Sequence, residues 1–237
     1  MRLLAAMSDA GTVTDPAGAG RRDRLLLTLT FAAGSVDALS YLGLSRVFTA
    51  NMTGNAVLLG LAISQTQELQ VAHSSAAIVG FVLGVILGAR LVGSGRERIV
   101  WSRRISAAVG VECALLLVFA LGWWLSGPSA AGAGLAGLIV LAGLAMGIQS
   151  AIARRLAVPG VSTTFVTGTI TALLTELTAV SGATGDRRRM AAAISALVAG
   201  AVVGGLAQAY ARPAAAFVPV VVVVAAVLAV RGFRGAA

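Results

Sequence analysis

The sequence predicts an all-α integral membrane protein with six transmembrane helices and two short polar helices in two repeat halves. Composition is the first observation, since 58% of the residues are hydrophobic and the mean hydropathy is +0.92. Second, the apolar stretches approach 20 residues, a length that matches the roughly 30 Å hydrocarbon layer of a bilayer. Third, one polar motif occurs once in each half of the chain, as expected for a duplicated membrane protein.

Six segments are apolar and long enough to be transmembrane helices: 25–45, 75–95, 104–126, 133–153, 190–210 and 213–231. Two further segments are more polar. Segment 48–64 begins with T-A-N-M-T-G-N, and segment 161–180 is rich in threonine. Each of these two is either a poor transmembrane span or a broken helix that enters and leaves on the same side.

Arginine placement favours the re-entrant alternative for both segments. All basic residues are arginine, the net charge is +9, and the arginines cluster at the ends of apolar segments, where the orienting charge of membrane proteins lies. If both polar segments are re-entrant, the arginine-free loops 64–74 and 126–133 fall outside and every cluster falls inside. The clusters are Arg21 with Arg22 and Arg24, 96–104, Arg154 with Arg155, 187–189, and Arg231 with Arg234. Only Arg46 and Arg212 then lie outside.

This placement of the arginine clusters on one side of the membrane predicts the domain organisation and the cellular location. Residues 1–23 are predicted to be a disordered cytoplasmic tail, and residues 24–232 a single transmembrane domain with repeat halves 25–126 and 133–231. Three spans per half place the second half upside down, an inverted 3+3 repeat. We expect a multi-pass protein of the bacterial inner membrane with both termini in the cytoplasm. Arginines at segment ends argue against a nucleic-acid partner.

The repeated motif reads V-x-T-x-x-x-T-G, from Val47 and again from Val161. If it begins or interrupts a helix in each half, free backbone N–H groups and the positive end of the helix dipole become available to a ligand. The predicted substrate-binding residues are Thr49, Asn51, Thr53, Gly54, Asn55, Gln149, Thr163, Thr167 and Gly168. The alternative is that the threonines bond their own backbone and that the glycines are packing notches between helices.

Asp37 lies well inside the first predicted span, where a carboxylate costs at least a few kcal/mol unless it is paired or faces water. Two interpretations stay open, namely coupling to a proton or cation and a structural bond to a neighbouring helix or to interfacial water. Its rough counterpart in the second half is Gln149. Glu112 is predicted to reach toward the cytoplasmic interface.

Rows of glycine indicate close helix packing, within the chain or between protomers of a homo-oligomer: Gly80, Gly84 and Gly88, and Gly200 with Gly204. A single cysteine, Cys113, and a single histidine, His73, exclude clustered cysteine or histidine metal sites, so we expect no cofactor. The sequence shows no nucleophile paired with a base, and we therefore do not expect an enzyme.

The segments G-S-V-D-A-L-S-Y-L…V-F-T-A-N-M-T-G-N at 34–55 and M-G-I-Q-S-A…T-T-F-V-T-G-T at 146–169 resemble the two signatures of the YoaK-like family. The family consists of bacterial inner-membrane proteins of unknown function, and the resemblance covers about 24–232. It implies an integral inner-membrane protein with about six helices. It implies no substrate, cofactor or catalytic residue.

The sequence favours a small secondary transporter or permease-like protein for an unknown small polar or ionic substrate, surrounded by the lipid bilayer. The alternative is a non-transporting membrane scaffold or regulatory protein whose polar patches only pack helices. A water-accessible cavity at the two motifs favours the first, and tightly packed motifs favour the second.

Overall fold

A computed structural model describes residues 16–93, 102–126, 131–156, 166–178 and 184–232, and in these ranges every regular element is a helix. The helices are α1 (Pro16–Gly43), α2 (Met52–Ser64), α3 (Glu68–Val92), α4 (Arg103–Ser126), α5 (Gly132–Leu156), α6 (Val166–Thr178), α7 (Thr184–Tyr210) and α8 (Phe217–Gly232). A 3-10 turn, Arg212–Ala214, precedes α8. The all-α prediction is confirmed.

Five of the described helices are long and apolar enough to cross a membrane, which agrees with a multi-pass protein in contact with lipid. They contain Arg22–Gly43, Glu68–Val92, Arg103–Ser126, Gly132–Leu156 and Arg187–Tyr210. The sixth predicted span, 213–231, is shorter than expected. Its helix has 16 residues and rises about 24 Å, because Pro213 lies in the preceding 3-10 turn rather than in the helix.

The two polar segments each contain one short helix, α2 and α6, of 13 residues. At 1.5 Å per residue each rises about 20 Å, which is less than the roughly 30 Å hydrocarbon layer. α2 begins after Asn51, whose side-chain oxygen accepts a hydrogen bond from the backbone N–H of Gly54. Residues 157–165, which lead into α6, lie outside the described residues.

The first helix extends further toward the N-terminus than predicted. α1 begins at Pro16, so residues 16–23 are helical and do not form a disordered tail. Asp23, in this extension, forms ion pairs with Arg189 of α7 at 3.1 Å and with Arg22 at 3.7 Å. The Arg189 contact holds this part of α1 against α7. Residues 1–15 lie outside the described residues.

Glycines let two pairs of helices approach backbone to backbone. A Cβ atom at Gly200 of α7 would collide with the carbonyl of Phe31 of α1, and a Cβ at Gly204 with that of Ser35. Since the contacts advance along both helices together, α1 and α7 run parallel. α3 and α5 are parallel for the same reason, with Gly80 against Val140, Gly84 against Leu144 and Gly88 against Ile148. The glycine rows therefore pack within the chain.

Side-chain contacts show which helix ends lie together. Trp123, near the end of α4, lies against Gly43 at the end of α1 and donates its indole N–H to the carbonyl of Arg212 at 2.8 Å. Gly122 of α4 lies against Leu138 near the start of α5. Hence α1, α4 and α7 end, and α3, α5 and α8 begin, at what we name the arginine-poor end. The opposite, arginine-rich end holds the Asp23–Arg189 contact and the last turn of α5 with Arg154 and Arg155.

These directions define the course of the two short helices. α1 ends and α3 begins at the arginine-poor end, so the chain through α2 returns to the end from which it left. α5 ends and α7 begins at the arginine-rich end, so the same holds for α6 there. Each helix of the first half runs opposite to its counterpart in the second. The inverted repeat stays a prediction, and these directions support it.

Candidate functional site

A cavity of about 630 Å³ lies where α1, α2, α6 and α7 meet. Its described polar and aromatic lining residues are Asp37, Tyr41, Phe48, Asn51, Thr53 and Thr167. The remaining lining residues are glycine, alanine, leucine and valine. We name it the Asp37 cavity. Both T-G motifs contribute to it, the first through Thr53 and Gly54 and the second through Thr167.

Asp37 is bonded to the backbone that leads into α2. Its Oδ1 accepts the N–H groups of Thr49 and Ala50, both at 2.7 Å, and its Oδ2 accepts that of Asn51 at 3.1 Å. Asp37 is six residues from the end of α1 at Gly43, or about 9 Å along the helix. The carboxylate thus fills the backbone donor site that the sequence predicted for a ligand at the start of α2.

Two more residues fix the same loop. The hydroxyl groups of Ser40 and Thr49 lie 3.2 Å apart in a buried hydrogen bond. Asn55, which is fully buried, accepts the N–H of Phe48 at 2.9 Å and donates its amide N–H to the carbonyl of the same residue. Because these groups are satisfied internally, the loop is held to α1 and to the start of α2 beside the cavity.

The structure brings only part of the predicted binding set to the cavity. Asp37, Asn51, Thr53, Gly54 and Thr167 line it. The others do not: Thr49 and Asn55 are buried in the loop, Gln149 lies on α5, Gly168 is exposed outside the cavity lining, and Thr163 lies outside the described residues. A binding role for any of these residues stays a prediction.

Gln149 has a structural contact instead. Its side-chain N–H donates to the carbonyl of Leu29 of α1 at 2.9 Å, in the buried contact between α1 and α5. Its amide oxygen has no hydrogen-bond partner in the described part of the chain. This contact accounts for the burial of the amide nitrogen of Gln149.

The two motif glycines are not backbone notches of the kind found in the long helices. A Cβ at Gly54 would lie 2.8 Å from the Phe48 ring and 3.1 Å from the side-chain nitrogen of Asn51. A Cβ at Gly168 would have no described atom within 4 Å. Among the described residues Gly168 thus makes no packing-notch contact, and at Gly54 the neighbours are side chains rather than another helix backbone.

The glycine contacts also correct the comparison between the halves. Gly34 meets α7 at Leu197 and Ala201, as Gly147 meets α3 at Phe81 and Val85. Asp37 follows Gly34 by three residues, and Ser150 follows Gly147 by three. The counterpart of Asp37 is therefore Ser150 and not Gln149. The Ser150 hydroxyl donates to the carbonyl of Met146 in its own helix at 2.9 Å.

Two aromatic residues of the cavity were not identified from the sequence. Tyr41 of α1 and Phe48 stack with ring centroids 5.0 Å apart and an interplanar angle of 21°. Tyr41 lies one helical turn after Asp37, so the i, i+4 spacing is a signal that identifies it. Phe48 lies inside the repeated motif, between Val47 and Thr49.

Glu112 is placed differently from the sequence prediction. It lies on the buried face of α4 and is fully buried, so it does not reach the interface. Neither carboxyl oxygen has a hydrogen-bond partner in the described part of the chain. In the same ranges no three side chains of His, Cys, Asp or Glu come together as a metal site requires.

A family model described as "Protein of unknown function (DUF1275)" matches residues 25–230. The chain is also similar to the UPF0700 transmembrane protein YoaK of Bacillus subtilis (strain 168). The two are 41% identical over 160 residues, which cover 67% of this chain and 68% of the relative. No solved structure matches the chain significantly.

Proposed function

The chain belongs to the DUF1275 family of proteins of unknown function, and we propose that it is a small secondary transporter with its substrate site in the Asp37 cavity. The observation that carries this proposal is that both T-G motifs, one from each half, line one cavity. The two short helices, α2 and α6, begin beside this cavity. The chain through each of them returns to a different end of the molecule. Discontinuous helices that meet at a central site are the arrangement found in many transporters with inverted repeats.

The division of contacts suggests how such a site would open. α1 packs closely on α7, and α3 packs closely on α5, through backbone contacts at glycines. α2 packs on α3, and α6 packs on α7, so each short helix belongs to a different pair. Movement of one pair relative to the other would separate α2 from α6, would break the bonds between Asp37 of α1 and the backbone before α2, and would expose the cavity to alternate ends.

The proposal also includes the orientation of the protein in the membrane. The arginine-rich end is proposed to face the cytoplasm of a bacterial inner membrane, because short arginine-rich loops stay on that side. A transporter is proposed rather than an enzyme, since the described cavity lining offers one carboxylate and hydroxyl groups but no histidine, lysine or cysteine.

The alternative function, a membrane scaffold or regulator, has its own supporting observation. Thr49, Asn55 and Gln149 are all buried and bonded within the chain, as polar residues that only join helices would be. The two functions differ in whether the cavity is reached from both ends.

Thiol accessibility tests this difference. In a Cys113→Ala background, the Thr53→Cys variant places one thiol in the cavity lining. Transport requires that a membrane-impermeant maleimide modifies this thiol when it is applied to intact cells and also when it is applied to inverted vesicles. Modification from one face only, or from neither, would overturn the proposal and favour a scaffold.

Matched controls exclude leakage of the reagent. Gln67→Cys and Arg188→Cys place thiols at exposed positions near opposite ends of the molecule. Each should react from one face only in the same preparations. A control thiol that reacts equally from both faces would identify leaky vesicles, and the preparation would then be replaced before Thr53→Cys is scored.

A further inference from the structure

The Asp37 cavity has an acidic side chain and no basic one in its described lining. Asp37 is the only charged side chain among its described lining residues. The other polar groups there, on Tyr41, Asn51, Thr53 and Thr167, are neutral hydroxyls and an amide. A charged ligand that enters the cavity therefore meets one carboxylate and no compensating arginine side chain in the described lining.

Four of the backbone donors around the start of α2 are already bonded within the chain. The N–H groups of Thr49, Ala50 and Asn51 donate to Asp37, and that of Gly54 donates to the side chain of Asn51. An anion bound to the three donors that Asp37 holds would have to displace the carboxylate and remain close to it. A cation requires no such displacement, so the electrostatics of the cavity favours positive charge.

The aromatic pair in the cavity lining also favours a positively charged ligand. The stacked rings of Tyr41 and Phe48 both line the cavity, and the face of an aromatic ring attracts a cation within about 6 Å of its centroid. The rest of the wall is largely apolar, with Leu42, Val57 and Leu197 from three helices. Such a wall suits the apolar body of a ligand better than a hydrated metal ion.

We propose that the cavity binds a monovalent organic cation with an apolar body. Its positive group lies beside Asp37, and its apolar part contacts Tyr41 and Phe48. Oδ2 of Asp37 accepts one backbone donor, so it has room for an N–H of a protonated amine. This inference rests on the proposed transport function and names the substrate class of the same cavity.

The test uses two probes of the same shape and opposite charge, tetraphenylphosphonium and tetraphenylborate. Equilibrium binding to the full chain in lipid nanodiscs is measured against empty nanodiscs, which report partition into lipid. We expect one tetraphenylphosphonium per chain and no saturable binding of tetraphenylborate. Saturable binding of the borate without the phosphonium would overturn the inference.

Asp37→Asn removes the charge while keeping an oxygen that accepts the N–H groups of Thr49 and Ala50. We expect it to weaken tetraphenylphosphonium binding at least tenfold. The matched control is Glu112→Gln, which neutralises a fully buried carboxyl outside the cavity lining and should bind as the unaltered chain does. Equal binding by the Asp37→Asn variant and the unaltered chain would overturn the inference.

A second variant keeps the test decisive if Asp37→Asn does not fold. Gly205 lines the cavity, and the nearest described atom to a Cβ there is in Leu42 at 3.9 Å, so Gly205→Leu fills space without a backbone collision. It should abolish binding while leaving Asp37 in place. Gly110→Leu on α4, where a Cβ has no described atom within 4 Å, is the matched control. Unchanged binding by Gly205→Leu would show that the cation lies elsewhere and overturn the inference.

The outcome can be separated from the fate of the transport proposal. Asp37-dependent cation binding together with one-sided accessibility of Thr53→Cys would retain the ligand class and reject transport. Two-sided accessibility without cation binding would retain transport and reject the ligand class.

Discussion

The junction of α1 with α2 and the matching position on α5 use different chemistry within similar packing. On α1, Asp37 binds three backbone N–H groups that precede α2. On α5, Ser150 occupies the equivalent place relative to the glycine contacts, and its hydroxyl bonds back to its own helix. The glycine contacts are thus shared by the two halves, and the carboxylate belongs to one half. The helix packing is therefore similar in the two halves, whereas only the first half places a carboxylate in the cavity.

The glycine contacts, which the two halves share, predict the largest effect on stability. Gly84→Val and Gly200→Val each place a side chain against the backbone of a parallel helix, so each should lower the free energy of unfolding by about 3 kcal/mol or more. Thermal unfolding in detergent measures both. Gly110→Val, on an open face of α4, is the control and should change little. A strong effect at one glycine and none at the other would break the equivalence of the two helix pairs.

The carboxylate, which only the first half has, predicts a smaller effect on stability that differs between the two equivalent positions. Asp37→Ala leaves three backbone N–H groups without their acceptor and should cost about 2 to 3 kcal/mol of stability. Ser150→Ala removes one hydroxyl bonded within its own helix and should cost less than about 1 kcal/mol. The same unfolding measurement compares them. Equal losses of stability would mean that Asp37 and Ser150 contribute equally to the fold. That result would contradict the asymmetry between the two halves.

The T-G motifs predict the smallest effects on stability. Gly54→Val presses on the Phe48 ring and should cost about 1 kcal/mol, whereas Gly168→Val enters open space and should stay within about 0.5 kcal/mol. Thr53→Val, at an exposed cavity position, should also stay within about 0.5 kcal/mol. A large loss for Gly168→Val would indicate a packing partner for α6 that the described residues do not provide.

Periodicity and charge predicted most of the fold, since hydrophobic length fixes the helices and arginine parity fixes their directions. Segment 104–126 and α4, Arg103–Ser126, differ by one residue at the start. The start of the sixth span was predicted less well, because a proline near a helix start either begins the helix or ends the preceding turn. Sequence alone does not distinguish these outcomes at Pro213.

The site was harder to predict for a different reason. The motif located the loop beside the cavity, but which donors face a ligand depends on what they bond in the folded chain. Asp37 is 12 residues from Thr49, and only the fold shows that its carboxylate occupies the backbone donors. Likewise Glu112 looked close enough to the interface to reach it, whereas the packing of α4 buries it completely.

In the arrangement that we propose, the chain returns through α2 and through α6 to the end from which it left, so the starts of α3 and α7 lie at opposite faces of the membrane. Gln67 and Arg188 are exposed residues at these two places. Single-cysteine variants at each, in a Cys113→Ala background, are labelled with an impermeant maleimide in intact cells. We expect that Gln67→Cys reacts and that Arg188→Cys reacts only after permeabilisation. Labelling of both from the same face would contradict the inverted arrangement and the transport proposal built on it.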